Sequence, residues 1–409
     1  MNGLYNLGIK LYAAAIKMTA RSNAKVAKMV AGQQETIAML KRNRREDNPV
    51  WIHAASLGEF EQARPLIELI KEKHPDIPIV LSFFSPSGYE VRKNYPLADS
   101  VIYLPLDYKE NAKLLVEALQ PRLAIFVKYE FWGNYLEQLR NHNIPTAIIS
   151  AIFRPSQIFF KPWGGMFRKM LDAFSAGVFV QDKASQLLLD KIGVKSEVFG
   201  DTRFDRVLSI MRQTVDFLAI EKFAKTARTL IMGSSWQPDE DAVIPYFNKH
   251  PELKLIIAPH EFNEGRLLEL EKKIKRPVKR YTQLAPGEDI DADCLIIDCF
   301  GILSSCYRYA DIAYIGGGFG AGIHNINEAA VYNIPVIFGP KYHKFKEARD
   351  LVASGGAKVI TSGDEFSSVV NVWLTNSAYL ENAGNIAGKY IKDNIGATEK
   401  IYSRINSYL

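Results

Sequence analysis

Short apolar runs alternate with amphipathic stretches along most of this 409-residue chain. Between Val50 and about Gly200 the runs have the length of buried strands, and the segments between them, such as Ala112–Leu119 and Lys183–Ile192, place apolar residues at helical spacing. This alternation predicts a parallel sheet with helices on both faces. The predicted strands are Trp51–Ala55, Ile79–Phe84, Val101–Leu104, Leu123–Val127, Thr146–Ser150, Ala176–Val180 and Ser196–Phe199.

The same pattern starts again after a polar connection between Asp201 and about Lys225. Its predicted strands are Leu230–Gly233, Leu253–Ala258, Cys294–Ile297, Ile312–Ile315, Val336–Phe338 and Lys358–Ile360. We therefore predict an α/β fold of two doubly wound, Rossmann-like domains facing a central cleft, at residues 35–210 and 225–375. Residues 376–409 are predicted as C-terminal helices that cross back to the first domain. Ligands of such sheets bind at the carboxyl ends of the strands, so the loops after the strands are the candidate sites.

Residues 1–34 have a different character, because they contain basic residues and no Asp or Glu. One stripe at helical spacing is apolar and a second is basic; they comprise Leu4, Leu7, Leu11, Ala15 and Met18, and Lys10, Lys17, Arg21 and Lys28. The segment is too interrupted by lysine to span a bilayer and lacks the apolar core of a signal peptide. It predicts an amphipathic helix lying on an anionic membrane surface. A solvated helix packed on the first domain and an organellar transit peptide stay open as alternatives.

The net charge and the cysteine spacing argue against two classes of function, nucleic-acid binding and metal binding. A net charge of +6 is mild for a protein of this size, and a nucleic-acid binder is expected to carry a denser basic face. Cys294, Cys299 and Cys306 lack CxxC spacing, and no metal-binding motif is present. We therefore expect no nucleic-acid partner, no metal and no cofactor.

A glycine-rich stretch follows the predicted strand Ile312–Ile315. Five glycines lie between Gly316 and Gly322, and a helix is predicted from Ile326 to Tyr332. Backbone N–H groups of such a turn and helix start can bind a phosphate or carboxylate, and Asn325 and Glu328 are expected to share one helix face. The stretch matches neither GxGxxG nor the P-loop, so a tight strand-to-helix connection alone explains it equally well.

Polar side chains also follow other predicted strands. Glu59, after the first strand, could accept a proton from a hydroxyl or could simply stabilise a helix start. Lys128 and Glu130, after the fourth, suit a polar acceptor or a structural ion pair. In the second domain the loops after the strands bring Ser234, Ser235, His260 and Gly301 towards the glycine-rich stretch, which favours a nucleotide site.

Together these motifs resemble one family, the 3-deoxy-D-manno-octulosonic acid (Kdo) transferases of lipopolysaccharide assembly. The matching segments are Trp51-Ile-His-Ala-Ala-Ser-Leu-Gly-Glu59, Ser85-Pro-Ser-Gly88, Leu104-Pro-Leu-Asp107, Glu130-Phe-Trp-Gly-Asn134, Gly200-Asp-Thr-Arg-Phe-Asp205, Gly233-Ser-Ser235, Gly322-Ile-His-Asn-Ile-Asn-Glu328 and Phe338-Gly-Pro340. The resemblance implies a GT-B glycosyltransferase that is inverting and metal-independent. Its donor would be CMP-Kdo and its acceptor the lipid A precursor lipid IVA. It would act at the cytoplasmic face of the bacterial inner membrane, held there peripherally or monotopically.

The resemblance also implies roles for individual residues. Glu59 matches the general base. The acceptor would contact Ser56, Gly58, Lys128 and Glu130. The donor would contact Ser234, Ser235, His260, Gly301, Gly320, Gly322, Asn325 and Glu328.

Three departures from the family pattern bear on these roles. Many members have Glu-Thr-Glu-Leu-Trp-Pro-Asn where this chain has Lys128-Tyr-Glu-Phe-Trp-Gly-Asn134, Gly-Ser-Thr-His where it has Gly233-Ser-Ser-Trp236, and Pro-Arg-His where it has Ala258-Pro-His260. The missing arginine leaves Lys341 and Lys344 as candidates to balance the donor's negative charge. Two alternatives stay open: another GT-B enzyme that uses a UDP-sugar, such as a nucleotide-sugar epimerase, and a catalytically silent nucleotide-binding scaffold.

Overall fold

A computed structural model describes residues 3–212, 216–285 and 287–409 of the chain. The chain forms two compact units. The first comprises Met1–Arg206 together with Ile395–Leu409, and the second comprises Val207–Asn394.

The first unit contains a parallel sheet of seven strands in the order β3-β2-β1-β4-β5-β6-β7. Its strands are β1 Val50–His53, β2 Ile79–Phe83, β3 Ser100–Tyr103, β4 Leu123–Val127, β5 Thr146–Ala151, β6 Gly177–Val180 and β7 Glu197–Val198. The α-helices in this part of the chain are α1 Gly3–Thr19, α2 Ala24–Arg42, α3 Leu57–Lys73, α4 Pro86–Arg92, α5 Lys109–Leu119, α6 Gly133–Asn141, α7 Gly165–Leu171, α8 Lys183–Asp190 and α9 Arg203–Arg212.

Successive side chains of these strands enter different apolar clusters, as expected when both faces of a sheet are covered. In β1, Trp51 packs into one cluster with Phe126 and Ile148. Its neighbour Ile52 packs into the other, with Phe60 and other residues of α3. Most strand residues are therefore apolar, which is why the strands can be predicted from short apolar runs.

The N-terminal segment, expected as one helix over residues 1–34, forms two. Helix α1 ends at Thr19, and Asn23 caps α2 by accepting hydrogen bonds from the N–H groups of Lys25 and Val26. Helix α2 continues to Arg42 within the first unit. Among the described residues, no helix has the length and apolar character to cross a membrane.

The second unit contains a parallel seven-stranded sheet in the order β10-β11-β9-β8-β12-β13-β14. The strands are β8 Arg228–Ser235, β9 Leu253–Pro259, β10 Val278–Arg280, β11 Cys294–Ile296, β12 Ile312–Ile315, β13 Val336–Phe338 and β14 Ala357–Val359. Its helices are α10 Leu218–Ala224, α11 Gln237–Phe247, α12 Glu264–Lys273, α13 Leu303–Cys306, α14 Asn327–Ala330, α15 Lys346–Ser354, α16 Gly363–Thr375 and α17 Ser377–Asp393.

The chain returns to the first unit through its last helix, α18 Ala397–Ile405. Ile401 and Ile405 are buried in the same apolar cluster as Phe60 of α3. Asp205 accepts hydrogen bonds from the N–H groups of Gly396, at 2.6 Å, and Thr398, at 2.8 Å. The C-terminal segment is thus part of the core of the first unit.

Candidate functional site

Both sheets reverse their strand order at one point, and the candidate residues lie beside it. In the first sheet the reversal falls between β1 and β4, and in the second between β8 and β12. In doubly wound sheets the crevice at this point, at the carboxyl ends of the strands, is the usual ligand site. Glu59 lies in the first turn of the helix after β1, Lys128 directly follows β4, Ser234 is near the end of β8, and the glycine-rich stretch follows β12.

Glu59 occupies the first turn of α3, directly after β1, and its side chain is half-buried. Ser56 precedes this helix, but its hydroxyl makes no capping bond; it donates a hydrogen bond to Oε2 of Glu59 instead. This contact orients the carboxylate at the edge of the sheet. Gly58 lies within α3, and its φ is not left-handed.

Glu130 is held by two aromatic residues at the end of β4. Its Oε2 accepts a hydrogen bond from Trp132 Nε1 at 2.6 Å and lies 3.2 Å from Nε2 of the fully buried His53. His53 in turn contacts the Ser82 hydroxyl through Nδ1 at 2.9 Å. Glu130 is therefore the end of a buried polar chain that links three adjacent strands.

Three residues other than glycine adopt left-handed backbone conformations at carboxyl ends of strands. They are Lys128 after β4, with φ 68°, Ser150 in β5, with φ 48°, and Ser234 in β8, with φ 52°. Such conformations cost energy and tend to cluster at functional sites. Ser150 was not a sequence candidate; its buried hydroxyl contacts Thr202 Oγ1 at 3.0 Å.

The glycine-rich turn of the second unit exists because neighbouring backbones leave no room for side chains. A Cβ on Gly316 would lie 2.2 Å from the carbonyl oxygen of Ser234, and one on Gly318 would lie 2.5 Å from the Gly339 nitrogen. Gly317 and Gly322 also have φ values of 91° and 142°, which favour glycine. The turn thus packs directly on the ends of β8 and β13.

Many N–H groups of the turn already have partners within the protein. Gly317 donates to the buried Asp239 carboxylate at 2.9 Å, and the N–H groups of Gly320 and Gly322 both donate to the Gly317 carbonyl. Burial raises the pKa of Asp239 above its usual range. Within the described part of the chain, the N–H groups of residues 318, 319 and 321 make no hydrogen bond, so these three are the donors left for an anion.

Asn325 and Glu328 are adjacent, as expected, but the helix they share is short. Helix α14 covers only Asn327–Ala330 rather than the expected Ile326–Tyr332, so a helix dipole contributes little here. Glu328 accepts hydrogen bonds from Asn325 Nδ2 at 3.0 Å and from the Ser304 hydroxyl at 2.5 Å. It therefore ties the glycine-rich turn to α13, which follows Gly301.

The loops after β8, β9 and β12 place three rings against one another. The ring of His260 stacks on Trp236 and on His324, with centroids 4.6 Å apart in both pairs. Trp236 Nε1 donates to His324 Nε2 at 3.3 Å. Burial and the neighbouring His260 lower the pKa of His324 to about 4. Ser235 is buried and its hydroxyl donates to Glu240 at 3.0 Å.

The loop after β11 carries an exposed aromatic residue next to Gly301. Phe300 is 85% exposed, and its ring centroid lies 4.5 Å from that of Phe262, in the loop after the neighbouring strand β9. Gly301 has φ 94°. An exposed aromatic face at this edge can stack on a nucleobase.

The structure thus brings the candidates together in two groups. The expected acceptor residues Ser56, Gly58, Glu59, Lys128 and Glu130 lie at the carboxyl edge of the first sheet, and the expected donor residues Ser234, Ser235, His260, Gly301, Gly320, Gly322, Asn325 and Glu328 lie at that of the second. Sequence reasoning missed Trp236, His324 and Phe300 as site residues. The signal for Trp236 and Phe300 was an aromatic residue directly after a predicted strand.

Comparison with solved structures first defines the class of protein. UDP-GlcNAc 2-epimerase from Neisseria meningitidis bound to UDP-GlcNAc matches with a TM-score of 0.60 at 15% identity, covering 88% of this chain and 100% of that one. Anabaena Alr3699/HepE in complex with UDP-glucose matches with a TM-score of 0.52 at 13% identity, covering 88% and 99%. At such identities the similarity concerns the fold. With its two parallel-sheet Rossmann-like domains, the chain has the GT-B fold of glycosyltransferases.

Comparison with known sequences then defines the family. The family profile described as 3-deoxy-D-manno-octulosonic-acid transferase (kdotransferase) matches residues 19–206. The 3-deoxy-D-manno-octulosonic acid transferase of Haemophilus influenzae is 28% identical over 378 residues, which cover 88% of this chain and 87% of that protein. The enzyme of Aquifex aeolicus is 26% identical over 314 residues, covering 75% and 80%. The chain is thus similar to Kdo transferases over most of its length, and this similarity supports a glycosyltransferase.

Proposed function

We propose that this protein transfers Kdo from CMP-Kdo to a hydroxyl of the lipid A precursor lipid IVA, with inversion at the anomeric carbon and without a metal ion. The observation that carries the proposal is the Ser56–Glu59 pair, a carboxylate oriented by a hydroxyl at the switch point of the first sheet. Similarity to Kdo transferases supports Kdo as the sugar.

The proposed chemistry needs one proton acceptor and one stabilised leaving group. The acceptor oxygen bonds to the anomeric carbon of Kdo while the bond from that carbon to the phosphate oxygen breaks and CMP departs. Glu59 takes the hydroxyl proton. Its Oε2 is engaged by Ser56, and Oε1 has no partner among the described residues. A positioned base of this kind contributes about 10²–10⁴ in rate.

The second unit offers neutral and charged groups to the departing CMP. The N–H groups of residues 318, 319 and 321 are available to the phosphate. Lys341 is the preferred cation, because its backbone N–H donates to the Gly318 carbonyl at 2.9 Å, which places this exposed residue beside the turn. We assign Glu328 to sugar hydroxyls and the Phe262–Phe300 pair to the base.

Helix α1 supports a peripheral site at the cytoplasmic face of the inner membrane. It packs on the unit through Ile9, Ala13 and Ile16, which are buried. Its second apolar stripe is on the outside, where Leu4, Leu7, Leu11 and Met18 are 71%, 53%, 64% and 70% exposed. An exposed apolar stripe beside lysines is typical of helices that lie in an anionic lipid interface.

The Glu59→Gln variant tests the proposed base. Because the amide cannot accept the proton, kcat should fall at least about a hundredfold while CMP affinity stays unchanged. Glu72→Gln, an exposed position of the same helix, serves as the control and should retain full activity. If Glu59→Gln turned over at the rate of the unaltered protein, Glu59 would not be the base.

Nucleotide choice tests the donor separately from the base. Calorimetric titration of the full-length protein with CMP, UMP, UDP and GDP should show preferential binding of CMP. Preference for a uridine nucleotide would instead support a UDP-sugar enzyme and would contradict CMP-Kdo as the donor.

A further inference from the structure

The loop after β5 brings an arginine, Arg154, to the edge of the first sheet that carries Glu59. Strands β1, β4 and β5 are neighbours in this sheet and run parallel. Glu59 follows β1, Tyr129 follows β4 and Arg154 follows β5. Because adjacent strands are about 4.8 Å apart, the ends of β1 and β5 are separated by roughly 10 Å. Arg154 therefore shares this edge with the proposed base, at a separation that a sugar residue and its substituents can bridge.

Arg154 is held against the ring of Tyr129. Its Cζ lies 5.9 Å from the ring centroid, and its Nη2 donates to the Tyr129 hydroxyl at 3.4 Å. The backbone is fixed as well, because the Arg154 N–H donates to Gln157 Oε1 at 2.9 Å and the Arg154 carbonyl accepts from the Gln157 N–H at 3.0 Å. Burial raises the pKa of Tyr129, and the charges that act on this hydroxyl include Arg154, which lowers the pKa, and Glu59, which raises it. The hydroxyl therefore lies near both the guanidinium and the proposed base.

The Arg154 guanidinium has no acidic partner in the described part of the chain. Arg154 is exposed, and the contact with Tyr129 uses only one of its N–H groups. Arg203, by contrast, is paired with Asp201, to which it donates through Nε at 2.9 Å and Nη2 at 2.7 Å. A planar guanidinium with available N–H groups can bind two oxygens of a phosphate at once. Arg154 therefore offers a binding site to an anionic group from outside the protein.

The residues beside Arg154 depart from the pattern of the Kdo transferases. Many of those enzymes have Glu-Thr-Glu where this chain has Lys128-Tyr129-Glu130. The Lys128 ammonium lies 5.3 Å from the centroid of the ring that Arg154 contacts. A position that is acidic in those enzymes, and would repel an anion, is thus basic here and lies next to a second cation. The change of sign favours an acceptor that carries negative charge close to the attacking hydroxyl.

We propose that Arg154 is a specificity-determining residue, which binds a phosphate group of the acceptor beside the hydroxyl that Glu59 deprotonates. The inference rests on the proposed function, because lipid IVA is a phosphorylated and acylated glucosamine disaccharide. It names the group of the acceptor that is recognised and adds a residue that the sequence analysis did not identify. Tyr129 keeps the guanidinium in place, and Lys128 adds positive charge next to it.

The test measures how the full-length protein binds two lipids in detergent micelles without any donor. One is lipid IVA, and the other is lipid IVA from which a phosphatase has removed the phosphate groups. Arg154→Gln removes the charge and retains a polar side chain. Arg42→Gln makes the same change at an exposed position at the end of α2, and it is the matched control. A separate titration with CMP-Kdo checks the donor site of each variant.

Arg154→Gln should weaken binding of lipid IVA about ten- to a hundredfold, the size expected for hydrogen bonds between charged groups. It should leave the binding of the dephosphorylated lipid and of CMP-Kdo unchanged, and Arg42→Gln should match the unaltered protein throughout. An equal loss for both lipids, or no loss for either, would overturn the proposal. A loss of CMP-Kdo affinity instead would place Arg154 in the donor site and would overturn it as well.

The lipid titration contains no donor, so it separates this inference from the proposed function. If the protein transferred no Kdo but lost its preference for the phosphorylated lipid in Arg154→Gln, the proposed function would fail and the phosphate contact would stand. If it transferred Kdo and Arg154→Gln kept that preference, the inference alone would fail.

Discussion

The Glu328 side chain joins two loops of the proposed donor site. One oxygen accepts from Asn325 in the turn and the other from Ser304 in α13. Its removal would release both partners as well as any hydroxyl it accepts from the donor.

Glu328→Ala should therefore weaken CMP or CMP-Kdo binding by about 1–3 kcal/mol, through lost hydrogen bonds and polar groups left without a partner. Calorimetric titration measures the change. Glu381→Ala, at an exposed position of α17, is the control and should bind CMP normally. Unchanged affinity in Glu328→Ala would remove this residue from the site.

Asn327 is a buried polar residue whose side-chain amide makes no hydrogen bond to the described residues. Its side chain is fully buried, and among the described residues neither its Oδ1 nor its Nδ2 has a hydrogen-bond partner. A buried polar group without a partner costs about 1–3 kcal/mol. Leucine has the same heavy-atom branching without the polar atoms.

We accordingly expect Asn327→Leu to raise the Tm while leaving CMP affinity unchanged. Asn134→Leu is the matched contrast, because the buried amide of Asn134 donates to the Asn6 side chain at 2.9 Å and to the Asp107 carbonyl. That variant should lower the Tm. A lower Tm in Asn327→Leu would mean that this amide has a partner, such as an ordered water, that stabilises the fold.

At the scale of elements, α1 presents two apolar faces, and within the described part of the chain only one of them packs against the protein. The buried face contacts Met29, Tyr103 and Leu106. Tyr5 adds a hydrogen bond to the buried Asp107 at 2.6 Å. The exposed face is thus available to lipid without any change in how α1 packs.

The double variant Leu7→Glu/Leu11→Glu should leave the Tm unchanged and reduce binding to phosphatidylglycerol vesicles at least about tenfold, since each buried leucine contributes about 1.5–3 kcal/mol. Co-sedimentation measures the bound fraction. Leu268→Glu/Val372→Glu places the same charges on exposed apolar positions of α12 and α16, and it should bind normally. Full retention of Leu7→Glu/Leu11→Glu on vesicles would show that another surface attaches the protein.

Strands buried on both faces were predictable from sequence, because each appears as an uninterrupted apolar run. Thirteen of the fourteen strands overlap predicted strands, although β7 contains the charged Glu197 and β14 the charged Lys358. The exception, β10, has only three residues, Val278–Arg280, and two of them are charged. The Arg280 side chain is buried and donates hydrogen bonds to Glu271 and Glu264. An apolar pattern in the sequence does not indicate a strand of this kind.

The sequence was enough to predict which loops form the candidate site, but not which of their residues contact one another. Glu59 and the glycine-rich turn follow strands, so their positions at a sheet edge could be deduced. The contact of Trp236 with His324 joins residues 88 apart in the chain. It depends on β8 and β12 being neighbours in the sheet, which becomes known only with the strand order.

At the scale of the whole molecule, the proposed reaction divides its chemistry between the two units. The proton acceptor belongs to the first and the leaving-group site to the second. The central claim is the transfer of Kdo, which the mass of the product tests directly.

The most direct measurement is to incubate the full-length protein with CMP-Kdo and lipid IVA, with EDTA present, and to determine the mass of the lipid product. We predict that lipid IVA gains one or more Kdo residues, that one CMP is released for each, and that Glu59→Gln largely abolishes the gain. An unchanged lipid mass from protein that binds CMP would contradict the account.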